Sequence, residues 1–305
     1  MGHLIGIQAY SAGELHETLD QAQSFYRQLT QKPRQIPPVL HGRTVVTWFM
    51  EPSTRTRASF ELAARYLGAE VLTLATEGSS MVKGETLWDT LANLEAMGID
   101  ALVVRHAEAG VPWQLARRAR VPVINAGDGW HEHPTQALLD LLTVRQALGD
   151  VSGLHVAIVG DILHSRVARS DIWGFTRMGA TVTLVGPPQF VPSEWPAKGV
   201  RVSNELSEVL PSADVVILLR IQKERQALNG LFSVEEYRLR WGLTAERFRL
   251  LKPGAVVLHP GPQNRGVEID SDVMEQDSVL IGRQVTNGVA VRMAVLTRLM
   301  GEQTW

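Results

Sequence analysis

The chain has 305 residues, 30 basic and 32 acidic side chains and a formal net charge of -2, so no global field attracts a polyanion and no nucleic-acid partner is implied. It contains no cysteine, which excludes disulfides, thiol catalysis and thiolate metal sites. A length suited to two domains, 45% hydrophobic residues and no run approaching ~20 apolar residues predict a soluble protein that neither spans a membrane nor is secreted, compatible with cytoplasmic residence.

Taken in chain order, residues 12–29 read as a first helix with Leu15, Leu19 and Ala22 facing inward, followed by the breaker-rich TQKPRQIPP. The first strand begins near Arg43. TVVTWF, AEVLTL, DALVVR and VPVINA then form short apolar or β-branched runs separated by helical segments, the arithmetic of a parallel sheet covered by helices on both faces. A helix from Thr135 to Leu148 closes at Gly149 and leads to a second half with the same rhythm: LHVAIVG, ATVTLVG, ADVVILL and GAVVLH. A last helix spans Val285 to Met300. The expected architecture is α/β, with two similar domains, each a central parallel sheet flanked by helices. The expected boundaries are 1–143 plus 286–305 for one domain and 144–285 for the other.

The stretch FMEPSTRTRASFELAARYLG places Ser53, Thr54, Arg55 and Thr56 where a strand gives way to a helix whose apolar face is Phe60, Ala63, Ala64 and Leu67. The first turn of a helix carries unsatisfied N–H groups and a positive dipole end, so an oxyanion can be held there with the hydroxyls and Arg55. A plainer reading has Ser53 or Thr54 capping the helix and Arg57 pairing with Glu61. Only five of the 30 basic residues are lysine, a bias that suits bidentate contacts with small anions but has compositional explanations too.

Other segments are weaker signals. His131 and His133 in GWHEHPTQALLD lack metal-protease spacing and an assigned third ligand, so no metal is expected and His131 reads as polar loop support. Ser79 and Lys83 in EGSSMVKGETLWDT, taken alone, read as a solvated loop. HVAIVGDILHS superficially matches a nucleotide-binding turn, yet lacks the full glycine spacing of a dinucleotide site.

The STRTR run from Ser53 to Arg57 resembles the phosphate signature of the aspartate/ornithine carbamoyltransferase family. GSSMVKGET at Gly78, VVRH at Val103, HPTQ at His133, VGDILHSR at Val159, LLRIQKER at Leu218 and LHPGP at Leu258 follow in the family's order and cover nearly the whole chain. The Lys83 loop and RIQKER resemble the aspartate branch, and the ornithine branch's D-x-x-S-M and H-C-L-P patterns are absent. PGPQNRGVEID departs from the shorter HPLPRVDEI form of one family branch.

The resemblance implies transfer of a carbamoyl group from carbamoyl phosphate to L-aspartate, without a cofactor, at a site in the cleft between the two domains. It implies a carbamoyl phosphate set of Ser53, Thr54, Arg55, Thr56, Arg105, His133, Gln136 and Pro262, with Arg55, Thr56, Lys83, Arg105 and His133 serving catalysis. Lys83, Arg166, Arg220, Gln222 and Gly261 form the implied aspartate set. Ser79 and Lys83 are implied to reach an adjacent subunit's site, which predicts a catalytic homotrimer. Family assemblies also include separate regulatory chains or a pyrimidine-pathway enzyme as partner, and the resemblance leaves those alternatives open.

Overall fold

A computed structural model of the chain describes residues 2–74, 85–195, 198–221 and 233–301. It divides into two compact units, Met1–Leu142 with Thr286–Trp305, and Thr143–Val285.

The first unit opens with α1 (Ala12–Thr30), nucleated by a reciprocal cap in which Ser11 Oγ accepts from the Glu14 N–H at 3.2 Å and Glu14 Oε2 accepts from the Ser11 N–H at 2.9 Å. There follow β1 (Thr44–Phe49), α2 (Thr54–Tyr66), β2 (Glu70–Leu74), α3 (Leu87–Ala96), β3 (Ala101–His106), α4 (Val111–Ala116) and β4 (Val123–Asp128). The four strands are parallel in the order β2-β1-β3-β4. Val46, Trp48, Leu102 and Val104 pack with Leu91, Leu94 and Leu115 from the flanking helices. Burial explains why β1 and β3 are mostly apolar or β-branched, while β4 also buries Asn125 and Asp128. The edge strand β2 is the one left half open.

α5 (Pro134–Leu148) carries the chain into the second unit, where β5 (His155–Val159), α6 (Arg166–Arg177), β6 (Thr181–Val185), β7 (Val200–Ser203), α7 (Leu206–Val209) and β8 (Val215–Leu218) follow. Then come α8 (Val234–Trp241), α9 (Ala245–Phe248), β9 (Val256–Leu258) and α10 (Ile281–Met300). The five strands are parallel in the order β7-β6-β5-β8-β9. The apolar runs predict four of these strands; β7 goes beyond them. It is an edge strand of alternating, partly exposed residues, VRVS, and so lacks the apolar signature of an interior strand. α10 begins at Ile281, four residues before the predicted Val285.

In each unit the first strand lies inside the sheet. The chain builds outward on one side of it, then crosses to the other. The order reverses between β1 and β3 and again between β5 and β8. Open parallel sheets form ligand crevices at the carboxyl ends of the strands at such reversals.

Candidate active site

The reversal in the first unit gathers most of the predicted anion set. β1 and β3 are paired in register with Phe49 opposite Arg105, and the Met50 N–H donates to the Arg105 carbonyl at 2.9 Å. The chain leaving β1 therefore turns directly over the end of β3. Ser53, at the N-cap of α2, has extended backbone (φ -161°, ψ 95°) and forms no side-chain cap bond. The capping expectation for Ser53 is thus not met, and the first turn of α2 contains no acidic residue to occupy its N–H groups. Thr54 and Arg55 are exposed at this turn, whereas Thr56 is buried. The other part of the plainer reading does occur: Arg57 Nε lies 3.8 Å from Glu61 Oε1 on the helix surface.

Arg105 is buried and held from two sides. Its Nη2 donates to Glu51 Oε1 at 2.8 Å, and its Nη1 donates to the Ala126 carbonyl of β4 at 3.2 Å. A charge-assisted bond and a backbone bond in different directions fix the plane of the guanidinium.

His133 and Gln136 come from the next junction, between β4 and α5, and both are buried. Two carboxylates brace the intervening turn. Asp128 accepts from Asn125 Nδ2 at 2.7 Å, the Gly110 N–H at 2.7 Å and the Glu132 N–H at 3.2 Å. Glu132 accepts from the Ile7 N–H at 2.8 Å, joining the turn to the N-terminal segment. Gly129 is required inside this turn: its φ is +44°, and a Cβ there would lie 2.6 Å from the Ala109 nitrogen. His131 Nδ1 sits 3.2 Å from both Asp128 oxygens, a loop-supporting contact. Gln136 lies one turn before Asp140 and donates to its oxygens at 3.1 and 3.2 Å, which orients the amide from the helix side.

The second reversal brings Arg166 and Arg220 to neighbouring strand ends. Val159 of β5 pairs with Leu218 of β8, and the Leu219 N–H donates to the Val159 carbonyl at 2.8 Å. Gly160 permits that approach, because a Cβ on it would lie 3.0 Å from Leu219 Cβ. Arg166 is the first residue of α6, and Ser165 Oγ caps that helix by accepting from the Ala168 N–H at 3.1 Å. Asp161 pairs with His164 at 2.9 Å, so polar groups of the segment that mimics a nucleotide turn are committed to its own loop. Both arginines are partly exposed.

Gly261 and Pro262 lie beyond β9 in a loop organised by two buried residues. His259 Nδ1 accepts from the Gly261 N–H at 2.8 Å, which places a neutral ring's proton on Nε2, 3.1 Å from Glu268 Oε1. Glu268 Oε1 also accepts from the Asn264 N–H at 2.6 Å, and Asn264 Nδ2 donates to the Ile221 carbonyl at 2.9 Å. The Pro262 loop is thereby tied to the chain immediately after Arg220. Ser79, Lys83 and Gln222 lie outside the described residues.

Glu51, Asp128, Glu132, Asn264 and Glu268 are absent from the set predicted by sequence. Glu51, Glu132, Asn264 and Glu268 stand within the quoted motifs, and an acidic residue beside a phosphate signature is the signal that marks Glu51. Asp128 precedes the paired histidines and Glu132 lies between them, but their partners are as distant as Ile7 and Gly110.

Two family models cover the chain: the carbamoyl phosphate-binding domain of aspartate/ornithine carbamoyltransferases matches residues 2–146, and the aspartate/ornithine-binding domain matches residues 152–299. The aspartate carbamoyltransferase catalytic subunit of Carboxydothermus hydrogenoformans is 52% identical over 300 residues, covering 98% of this chain and 96% of that one. The Trypanosoma cruzi aspartate transcarbamoylase complex with carbamoyl phosphate superposes with a TM-score of 0.90 at 31% identity, covering 98% of this chain and 96% of that one. Ornithine carbamoyltransferase from Pyrococcus furiosus gives 0.88 at 29% identity, covering 98% and 97%. The chain belongs to the aspartate/ornithine carbamoyltransferase family and is a carbamoyltransferase.

Proposed function

We propose that the acceptor is L-aspartate, so that the reaction is carbamoyl phosphate plus L-aspartate giving N-carbamoyl-L-aspartate and phosphate, a step of de novo pyrimidine biosynthesis. The observation that carries the donor half is the α2 start, where Ser53 forms no cap bond and the first turn holds no acidic residue, beside the fixed guanidinium of Arg105. Aspartate as the acceptor is supported by the 52% identity with an aspartate-specific relative across both units. Arg166 and Arg220 at the second reversal also suit a dicarboxylate better than a cationic side chain.

In this reading Ser53, Thr54, Arg55 and Thr56 hold the phosphoryl oxygens with the first-turn N–H groups. Arg105, Thr56 and His133 surround the carbonyl oxygen, where negative charge grows as the neutral amine attacks. Gln136 and the Pro262 backbone orient the reactants. A C–N bond forms, the C–O bond to phosphate breaks with its electron pair, and the amine proton passes to the departing phosphate or to water. Arg166 and Arg220 grip the two carboxylates, with Gln222, Gly261 and Lys83 completing that set. Ser79 and Lys83 act in a neighbouring subunit's site in a catalytic homotrimer, and the enzyme works in the cytoplasm.

The test is transfer of a labelled carbamoyl group to aspartate and to ornithine in parallel. Labelled carbamoyl-aspartate, with ornithine inert, is the expected outcome. Citrulline as the product contradicts the acceptor assignment, and no transfer to either amine contradicts the placement of the donor site.

A further inference from the structure

Arg292 lies in α10, and its role is not assigned by the proposed mechanism. It is 3% exposed, and its guanidinium sits 4.9 Å from the centroid of the Phe60 ring. Phe60 follows Thr56 by four residues, so the two share the buried face of α2, the helix whose start forms the donor site. Nη1 donates to the Gly288 carbonyl at 2.9 Å, while buried Nε has no hydrogen-bond partner. Among the described residues Arg292 forms no ion pair, although buried cations are ordinarily paired. The charge nearest in effect is another cation, that of Arg105. Burial first, and Arg105 second, push the Arg292 pKa down to about 9, which leaves it charged at neutral pH.

The surrounding helix is shaped to keep the group there. Gly288 occupies the interior of α10, where glycine is unfavourable relative to alanine. A Cβ at Gly288 would lie 2.6 Å from Arg292 Nη1 and 3.4 Å from Leu139 Cδ2. The position therefore reserves space for the guanidinium. Two cations, Arg105 paired with Glu51 just before α2 and Arg292 against Phe60 of α2, the latter lacking a carboxylate, form a field complementary to an anion.

We propose that Arg292 is a positioning residue for the donor site: a buried charge that does not touch the ligand but strengthens the field in which the phosphoryl group is held beside Arg105. The inference rests on the donor-site reading above and not on the identity of the acceptor.

The experiment uses inorganic phosphate as the probe, with calorimetric affinity and the thermal midpoint of the ligand-free enzyme both measured. Arg292→Met should weaken phosphate binding roughly five- to thirtyfold, the range expected for losing one charge at moderate distance in a partly screened site. It should also leave the ligand-free midpoint unchanged or higher, since an uncompensated buried charge is removed. Arg292→Lys should recover most of the affinity. Wild-type phosphate affinity in Arg292→Met overturns the proposal, as does a joint loss of stability and affinity that lysine does not repair. If Arg292→Met does not fold, Gly288→Ala decides: it favours the helical backbone and displaces the guanidinium, so weaker phosphate binding is expected and unchanged binding overturns the proposal. Because phosphate is the probe in every arm, failure to carbamoylate aspartate counts against the acceptor assignment alone.

Discussion

The two strand-end edges solve different problems with the same topology. At the β1/β3 reversal and the β4–α5 junction beside it, Thr56, Arg105, His133 and Gln136 are buried, and Glu51, Asp128, Glu132 and Asp140 brace the surrounding segments. At the β5/β8 reversal, Arg166 and Arg220 are partly exposed, and the order resides in the loops around them, through Ser165 and the His259, Glu268 and Asn264 chain. A preorganised set of donors suits a group whose developing charge must be met without rearrangement. Long side chains on firm loops suit the selection of an acceptor. Under the proposed function, chemistry and specificity divide between the two units.

The largest expected effect comes from striking the rigid edge. Arg55→Gln should lower kcat/KM by about 10²–10³, the usual loss when a charge-stabilising donor at the reacting centre is removed, and steady-state kinetics with both substrates varied will check it. Arg220→Gln should act more narrowly. Removing one charged hydrogen-bond partner is worth roughly 1.5–3 kcal/mol, so apparent affinity for aspartate should fall about ten- to a hundredfold, with carbamoyl phosphate affinity largely spared. Equal losses for both substrates would dissolve the division of labour.

Two smaller substitutions sharpen the boundary between binding and scaffolding. Ser53 makes no cap bond, so Ser53→Ala should keep global stability within about 0.5 kcal/mol, below the usual cost of a lost cap, while weakening phosphate binding severalfold. Thermal melts beside phosphate titrations separate the two effects. Arg57→Ala should be the mildest. Its pair with Glu61 is a surface contact at 3.8 Å, so stability and kcat/KM should stay near wild type, within about 0.5 kcal/mol.

The fold was legible where burial leaves a linear trace. β1, β5 and β8 are largely buried and read as apolar or β-branched runs, whereas β7 at an edge leaves no such trace because VRVS alternates. The STRTR run is equally visible, since Ser53 to Arg57 are consecutive. Its supports were not. Glu51 meets Arg105 across 54 positions and Glu132 meets Ile7 across 125, distances over which one sequence carries no local periodicity. Arg292 is the extreme case: in sequence it is one more arginine in an amphipathic helix, and only the close approach of Gly288 and Phe60 reveals what surrounds it.

Calorimetric titration of Arg220→Gln, first with phosphate and then with succinate in the presence of saturating phosphate, tests the division most directly. The account predicts phosphate binding as tight as in the unmodified enzyme and succinate binding weakened at least tenfold. Loss of phosphate affinity together with unchanged succinate affinity would contradict it.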